Sequence, residues 1–405
     1  MKWAWLLLAG SATPALAQTS DLPPEAAVVR VLDAQPVVQA ATARIDAAQA
    51  EAEALRRGPH EITAEGSLSR RRVEREGRDV EYDMTISRAF RLPGKAALDR
   101  RAGALGVNVA QDRMEDARHE AALSLATLWY DWLLAADLHR NGMRLVENQR
   151  ALVASTARRV EVRDAAELDL QQARAALGLA ESQAEDAAAL RDRAQALLAA
   201  RFPDLPLPAE PPSIVEPTLP GEGLLELQRL IVARSHEIAA AAATAERQSV
   251  VARRARADRV ADPSLGFRFF SERGGEEQGG GLVASLPLGG GHRRALWDQA
   301  AAEASAAYAD QLAVEREVAG NAAADAAEFR ARQSAWLAAR DAVERAERSA
   351  GMAARGQQLG AIDLADRLYA ERQANEARAQ EIIARATAAR LIVKLRIDAH
   401  LLWIE

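Results

Sequence analysis

Two patterns of apolar residues run through this chain. In four short stretches apolar and polar residues alternate, as in a strand with one greasy and one wet face. Almost everywhere else apolar residues recur every three or four positions, as along one side of an amphipathic helix. The clearest strand sets Val80, Tyr82, Met84 and Ile86 against Glu81, Asp83, Thr85 and Ser87. Its partner, within residues 60–72, sets Ile62, Ala64, Gly66 and Leu68 against Glu61, Thr63, Glu65, Ser67 and Ser69, and a polar loop is expected over 71–79. Farther on, Leu265, Phe267 and Phe269 alternate with Gly266 and Arg268, and Leu282, Ala284 and Leu286 alternate with Val283 and Ser285, around an expected loop at 274–281.

Between the strand pairs lie long helical stretches. From Gly94 to about residue 157 nothing breaks a helix, and Ala121, Leu125, Leu128, Trp132 and Ala135 mark one of its faces. Some 60 residues at about 1.5 Å each reach roughly 90 Å, which a tube needs and a globular core rarely does. A second long helix is expected over 292–355. The halves follow one plan of helix, hairpin, long helix, tip and returning helix, which implies two copies of one supersecondary unit. Gly94 and Gly289 close the two hairpins, and Asp169 and Asp366 follow the two tips at almost the same separation. The first repeat is assigned to 18–202, with a helix over 24–57 broken or kinked near Pro36, a hairpin at about 60–92 and a tip at about 158–166. A proline-rich linker covers 203–220. The second repeat takes 221–405, with a hairpin at about 264–288, a tip at about 356–363 and a last helix running to the chain terminus.

Residues 1–17 read as a secretory signal peptide: Lys2, an apolar core from Trp3 to Gly10, and Ala15-Leu16-Ala17 before Gln18. The chain has no cysteine, so a disulfide and a cysteine-linked lipid anchor are both excluded. The net charge of −6 gives a nucleic-acid role no electrostatic support. Alanine is abundant and aromatics are few, a composition suited to close helix–helix contacts.

No catalytic constellation is visible, and an enzyme is not expected. The glycines at 279–281 and 289–291 read as hairpin-loop and turn glycines. The nearest phosphate-loop pattern fails, with Ala89 at its first glycine and Ala96 at its Ser/Thr position. The histidines at 60, 119, 139, 236, 292 and 400 are scattered, with no pair at i and i+4, so neither a metal centre nor any other cofactor is expected. Trp129 and Trp132 have helical spacing and read as packing residues. Asp363 and Asp366, near the start of the last helix, suit either the helix dipole or a functional role.

After residue 17 no apolar run is long enough for a membrane helix, so a membrane role falls to the strands. Four strands leave two open edges, which hydrocarbon does not tolerate. Two chains would give an eight-stranded barrel filled by its own side chains, whereas three give twelve strands and a channel. The expected fold is therefore mainly α with a small β part: a duplicated helix–hairpin–helix unit forming a long α-helical barrel, with four membrane strands per chain. Tyr82, Met84, Ile86, Leu265, Phe267 and Phe269 are expected to face lipid, and Glu81, Asp83, Thr85 and Arg268 the lumen.

On the signal, the duplicated order and the tip segments at 163–173 and 360–370, the chain resembles the TolC-like outer membrane factor family. The family's tip pattern of glycine followed six residues later by aspartate is matched by Gly360 and Asp366; in the first half Arg163 stands where glycine is usual before Asp169. The resemblance implies a homotrimer with a twelve-stranded barrel in the outer membrane of a Gram-negative cell and a helical barrel in the periplasm. Its partners would be a periplasmic adaptor and an inner-membrane pump of the RND type. It also implies a periplasmic gate at Asp366, Asp363 and Asp169, although the family's second gate aspartate is Tyr369 here and its tip arginine is Ile362. The run Phe90-Arg91-Leu92-Pro93-Gly94-Lys95 resembles the segment after the first hairpin in CzcC-like proteins of heavy-metal efflux, which makes heavy-metal cations the implied cargo. Ducts for drug efflux or type I protein secretion, and a periplasmic adaptor, are the competing readings.

Overall fold

The computed structural model describes residues 21–74, 77–219 and 221–404. The signal-peptide assignment at 1–17 lies outside them. The elements run α1 (Glu25–Asp33), α2 (Pro36–Arg57), β1 (Ile62–Val73), β2 (Gly77–Ala89), α3 (Lys95–Glu161), α4 (Glu167–Arg201), α5 (Leu224–Arg234), α6 (His236–Ala257), β3 (Ser264–Glu272), β4 (Glu277–Ser285), α7 (Gly291–Gln358) and α8 (Leu364–Asp398). The two halves repeat the order helix pair, hairpin, long helix, shorter helix.

Local chemistry explains the breaks. Pro36 is the first residue of α2, where its missing N–H costs nothing, so the break or kink expected there is a full break after Asp33. In the second half Ser235 does this work, its Oγ accepting the Ile238 N–H at 3.2 Å to open α6. The long helices exceed the expected spans, and the tips shrink to the residues between Glu161 and Glu167 and between Gln358 and Leu364.

The chain forms two compact units. One draws on residues 21–31, Leu125–Leu219 and Phe329–Ile392. Its core holds Trp129 and Trp132, packed edge to face with centroids 5.3 Å apart, which makes them packing residues as expected. Trp129 Nε1 donates to the Asp21 carbonyl at 2.7 Å, while Asp21 Oδ2 accepts from Tyr130 Oη at 3.0 Å and from the Val215 N–H at 3.2 Å. The proline-rich segment is therefore fastened rather than loose. Phe202, Leu205 and Ile214 are buried, and Arg140 donates to the Pro211 carbonyl at 2.8 Å.

The other unit comprises Leu32–Ser124, Pro220–Glu328 and Val393–Glu405. It contains a four-stranded sheet, antiparallel throughout in the order β1-β2-β3-β4. Two expectations are corrected here. The glycines at 279–281 are strand residues of β4, because the hairpin turns on a tight 3₁₀ segment at Arg273–Gly275. The Phe270 and Phe267 rings lie over Gly279 and Gly280, where an added Cβ would sit 2.5 and 2.9 Å from a ring carbon. The last helix stops at Asp398 rather than at the terminus: His400 and Trp403 have φ of 54° and 66°, and Arg234 holds the turn by donating to the His400 carbonyl at 3.0 Å.

Candidate functional site

The sheet carries two opposite faces, set by register. Rows Ala64–Ile86–Phe267–Leu282 and Gly66–Met84–Phe269–Gly280 put their bulky side chains on one face, joined by Leu68 beside Tyr82 and by Leu265 beside Arg88. Tyr82 and Phe269 approach to 6.3 Å between ring centroids. All six apolar strand residues singled out in the sequence lie on this face and are exposed. The alternate rows hold Glu65–Thr85–Arg268 and Ser67–Asp83–Phe270, and Arg268 pairs with Asp83 across the strands. Arg78 and Arg88 border the apolar rows along β2. Ten residues span about 33 Å along a strand, or roughly 25 Å at a tilt of about 40°, the height of the apolar band of an outer-membrane barrel. β1 and β4 each have one edge without a partner among the described residues.

Where the strands meet the helices, the run from Phe90 to Lys95 works as a clamp. Arg91 donates to the carbonyls of Leu55, Arg56 and Arg57, satisfying the end of α2, and pairs with Asp99 at 2.8 Å. Lys95, 2% exposed, reaches Asp262 Oδ1 at 2.7 Å, Asp258 Oδ1 at 3.0 Å and the Val260 carbonyl at 2.7 Å. Asp262 also meets His60 Nε2 at 2.8 Å and accepts the Leu92 N–H at 3.0 Å. Burial alone would raise the Asp262 carboxyl, but its bonds to Lys95, His60 and Leu92 hold it at about 2. The signature run is thus a structural junction between the repeats' strands and helices.

At the tips, Arg163 and Gly360 both adopt left-handed backbone, with φ of 60° and 73°. Arg163 therefore occupies the glycine position of the pattern and carries its strain. Asp363 Oδ1 accepts the Asp366 N–H at 2.8 Å, which makes Asp363 the cap of α8, and Asp366 sits exposed in the first turn. Asp169 Oδ2 accepts the Ala166 N–H at 3.3 Å at the start of α4. Leu364 beside Asp363 packs on Leu152 of α3 and Ala173 of α4, so the two tip turns share one small core.

The histidines depart from expectation. Three of the six converge: the His119 and His400 rings stack at 5.8 Å, and His236 lies 4.9 Å from His400. They line a cavity of about 220 Å³ together with Asp116, Glu237, Asp325, Lys394 and Asp398. Burial, aided by His236 and His119, pushes His400 down to about 4. Burial raises Asp116, with Glu120 adding to the effect, and likewise raises Glu237, with Asp116 adding to it. Spacing along the chain concealed this cluster because its members come from α3, α6 and the turn after α8. Asp116 and His119, three apart on a helix, were the one local signal.

No family model and no curated relative matches the chain. Solved structures do. The outer-membrane channel OprN superposes with a TM-score of 0.76 at 20% identity, over 94% of this chain and 90% of that one. The outer-membrane protein VceC of Vibrio cholerae gives 0.72 at 18% identity, over 93% and 95%. CusC, described for its folding and transmembrane channel formation, gives 0.76 at 15% identity, over 93% and 91%. The fold of this chain, mainly helical with one small four-stranded sheet, is accordingly that of the TolC-like outer-membrane channels.

Proposed function

We propose that this chain is the outer-membrane duct of a tripartite efflux system in a Gram-negative cell. The observation that carries this reading is the apolar face that continues in register across four strands whose outer edges lack partners among the described residues. Three copies supply twelve strands, which close the barrel and leave a channel. Tyr82, Met84, Ile86, Leu265, Phe267 and Phe269 then face lipid, while Glu81, Asp83, Thr85 and Arg268 face the lumen. Among the described residues no helix is long and apolar enough to cross a membrane, so the strands are what would carry the chain there. The likeness in fold to outer-membrane channels supports the same reading.

The duct is passive. A periplasmic adaptor and an inner-membrane pump of the RND type drive cargo into it, and a gate at the tips, built on Asp366 with Asp363 and Asp169, restricts it at rest. Heavy-metal cations are the cargo favoured by the likeness of residues 90–95 to CzcC-like proteins. Those residues form the strand–helix junction, so the likeness speaks to ancestry and not to a contact with cargo.

Membrane fractionation followed by native mass spectrometry in detergent tests the architecture. A trimer in the outer-membrane fraction is expected, and a monomer that stays folded in lipid would overturn it. For cargo, a deletion strain should become sensitive to divalent heavy-metal salts. Sensitivity to hydrophobic drugs alone would replace that cargo with the drug reading.

A further inference from the structure

The cavity beneath the three histidines has a second property that packing does not explain. Asp116 Oδ1 is buried without a hydrogen-bond partner among the described residues, an arrangement that costs free energy unless something satisfies it. One ligand atom each of Asp116, His119 and Glu237 lies within 4.8 Å of the other two. From this geometry we propose that Asp116, His119 and Glu237 bind a divalent transition-metal cation of the zinc type, one per chain, as a fixed site separate from any cargo in the duct.

The frame suits that role. Asp116 and His119 lie on one face of α3, and Glu237 comes from the first turn of α6, so a bound cation would tie two helices far apart in sequence. His119 Nε2 is engaged by Asp398 Oδ1 at 3.0 Å, which leaves Nδ1 for a cation. An imidazole oriented by a carboxylate on its other nitrogen is the usual outer shell of a metal ligand. Asp398 is steadied by Lys394 at 2.7 Å. Around the cavity four carboxylates (Asp116, Glu237, Asp325 and Asp398) face a single lysine, an excess of negative charge that favours a cation. His236 and His400 stand beside it, with Asp112, Glu120 and Arg234 nearby. One imidazole and two carboxylates suit zinc, cobalt or nickel, whereas soft thiolate chemistry is absent from a chain without cysteine. In a tetrahedral zinc site the ligand atoms lie about 3.4 Å apart, so binding requires the three to draw together from within 4.8 Å, a movement that exposed Glu237 is free to supply in part.

The test uses the full-length protein in detergent, stripped with a chelator and titrated with Zn²⁺ alone by calorimetry. One tight equivalent per chain is expected, weakened about tenfold or more by Asp116→Asn, His119→Ala or Glu237→Gln and unchanged by His139→Ala, whose ring is bonded to Arg191 instead. Because a variant can misfold, Co²⁺ is also added to the unsubstituted protein, where a bound ion should show a visible spectrum distinct from that of the hydrated ion. A hydrated-ion spectrum, the lack of a tight equivalent, or an equivalent that survives all three substitutions would overturn the proposal.

Discussion

Met84 of β2 lies directly opposite Phe269 of β3, although the two strands belong to different halves of the chain. The pair places the apolar faces of both hairpins in one plane, and the neighbouring pair Thr85–Arg268 points the other way. In the proposed barrel an arginine at Met84 therefore enters lipid, at a cost of about 2–4 kcal/mol near the midplane, while one at Thr85 enters the lumen. Trimer yield in outer-membrane fractions should fall for Met84→Arg and hold for Thr85→Arg. A loss for Thr85→Arg instead would mean that the lipid and lumen faces are exchanged, and equal yields would mean that neither position meets lipid.

Lys95 offers a test of the junction that does not depend on the membrane. Its ammonium is almost fully buried between Asp262 and Asp258, and removing it strands the charge of Asp262. Lys95→Met should cost about 3–5 kcal/mol, read as a lowered thermal midpoint in detergent. Combining it with Asp262→Asn should cost less than the two single losses added together, because the doubly substituted site no longer holds an unpaired charge.

Asp262 also predicts an acid limb of stability. Its folded value of about 2 lies below the ordinary 3.8, so its contribution is present above about pH 4 and is lost as pH falls towards 2. The loss should amount to about 1–2 kcal/mol after allowing for partial solvation. Thermal midpoints followed from pH 5 to 2 should drop less steeply in Asp262→Asn than in the unsubstituted protein.

The tip aspartates should separate by role. Asp363 caps α8, so Asp363→Ala should cost about 1 kcal/mol while Asp363→Asn, which keeps an acceptor oxygen, should be nearly neutral. Asp366 offers its carboxylate to solvent. Around a proposed three-fold axis it would form a ring of negative charge, so planar-bilayer recordings should show a nearly closed, cation-selective pore that loses selectivity in Asp366→Asn. Unchanged selectivity would move the constriction elsewhere.

Much of this architecture was legible because its elements are specified locally. Alternation from Val80 to Ser87 marks a strand whatever it pairs with, and Pro36 ends a helix by geometry alone. Features that depend on distant partners were misread. Gly279 looks like loop material until the Phe270 ring is seen to need its missing side chain. His119, His236 and His400 look scattered until α3, α6 and the turn after α8 gather them. The run from Phe90 to Lys95 was recognisable as a signature, yet its role as a clamp required Asp262, which lies in the other half of the chain.

The edges of β1 and β4, unpartnered among the described residues, have a genetic consequence. A lone protomer cannot finish its own sheet, so in the proposed trimer every channel inherits the fault of its worst member. If a variant with a spoiled β4 edge still joins neighbours through β1, expressing it beside an equal amount of intact protein would leave only about one assembly in eight free of it. A single defective allele would then suppress export well beyond its share of the protein made.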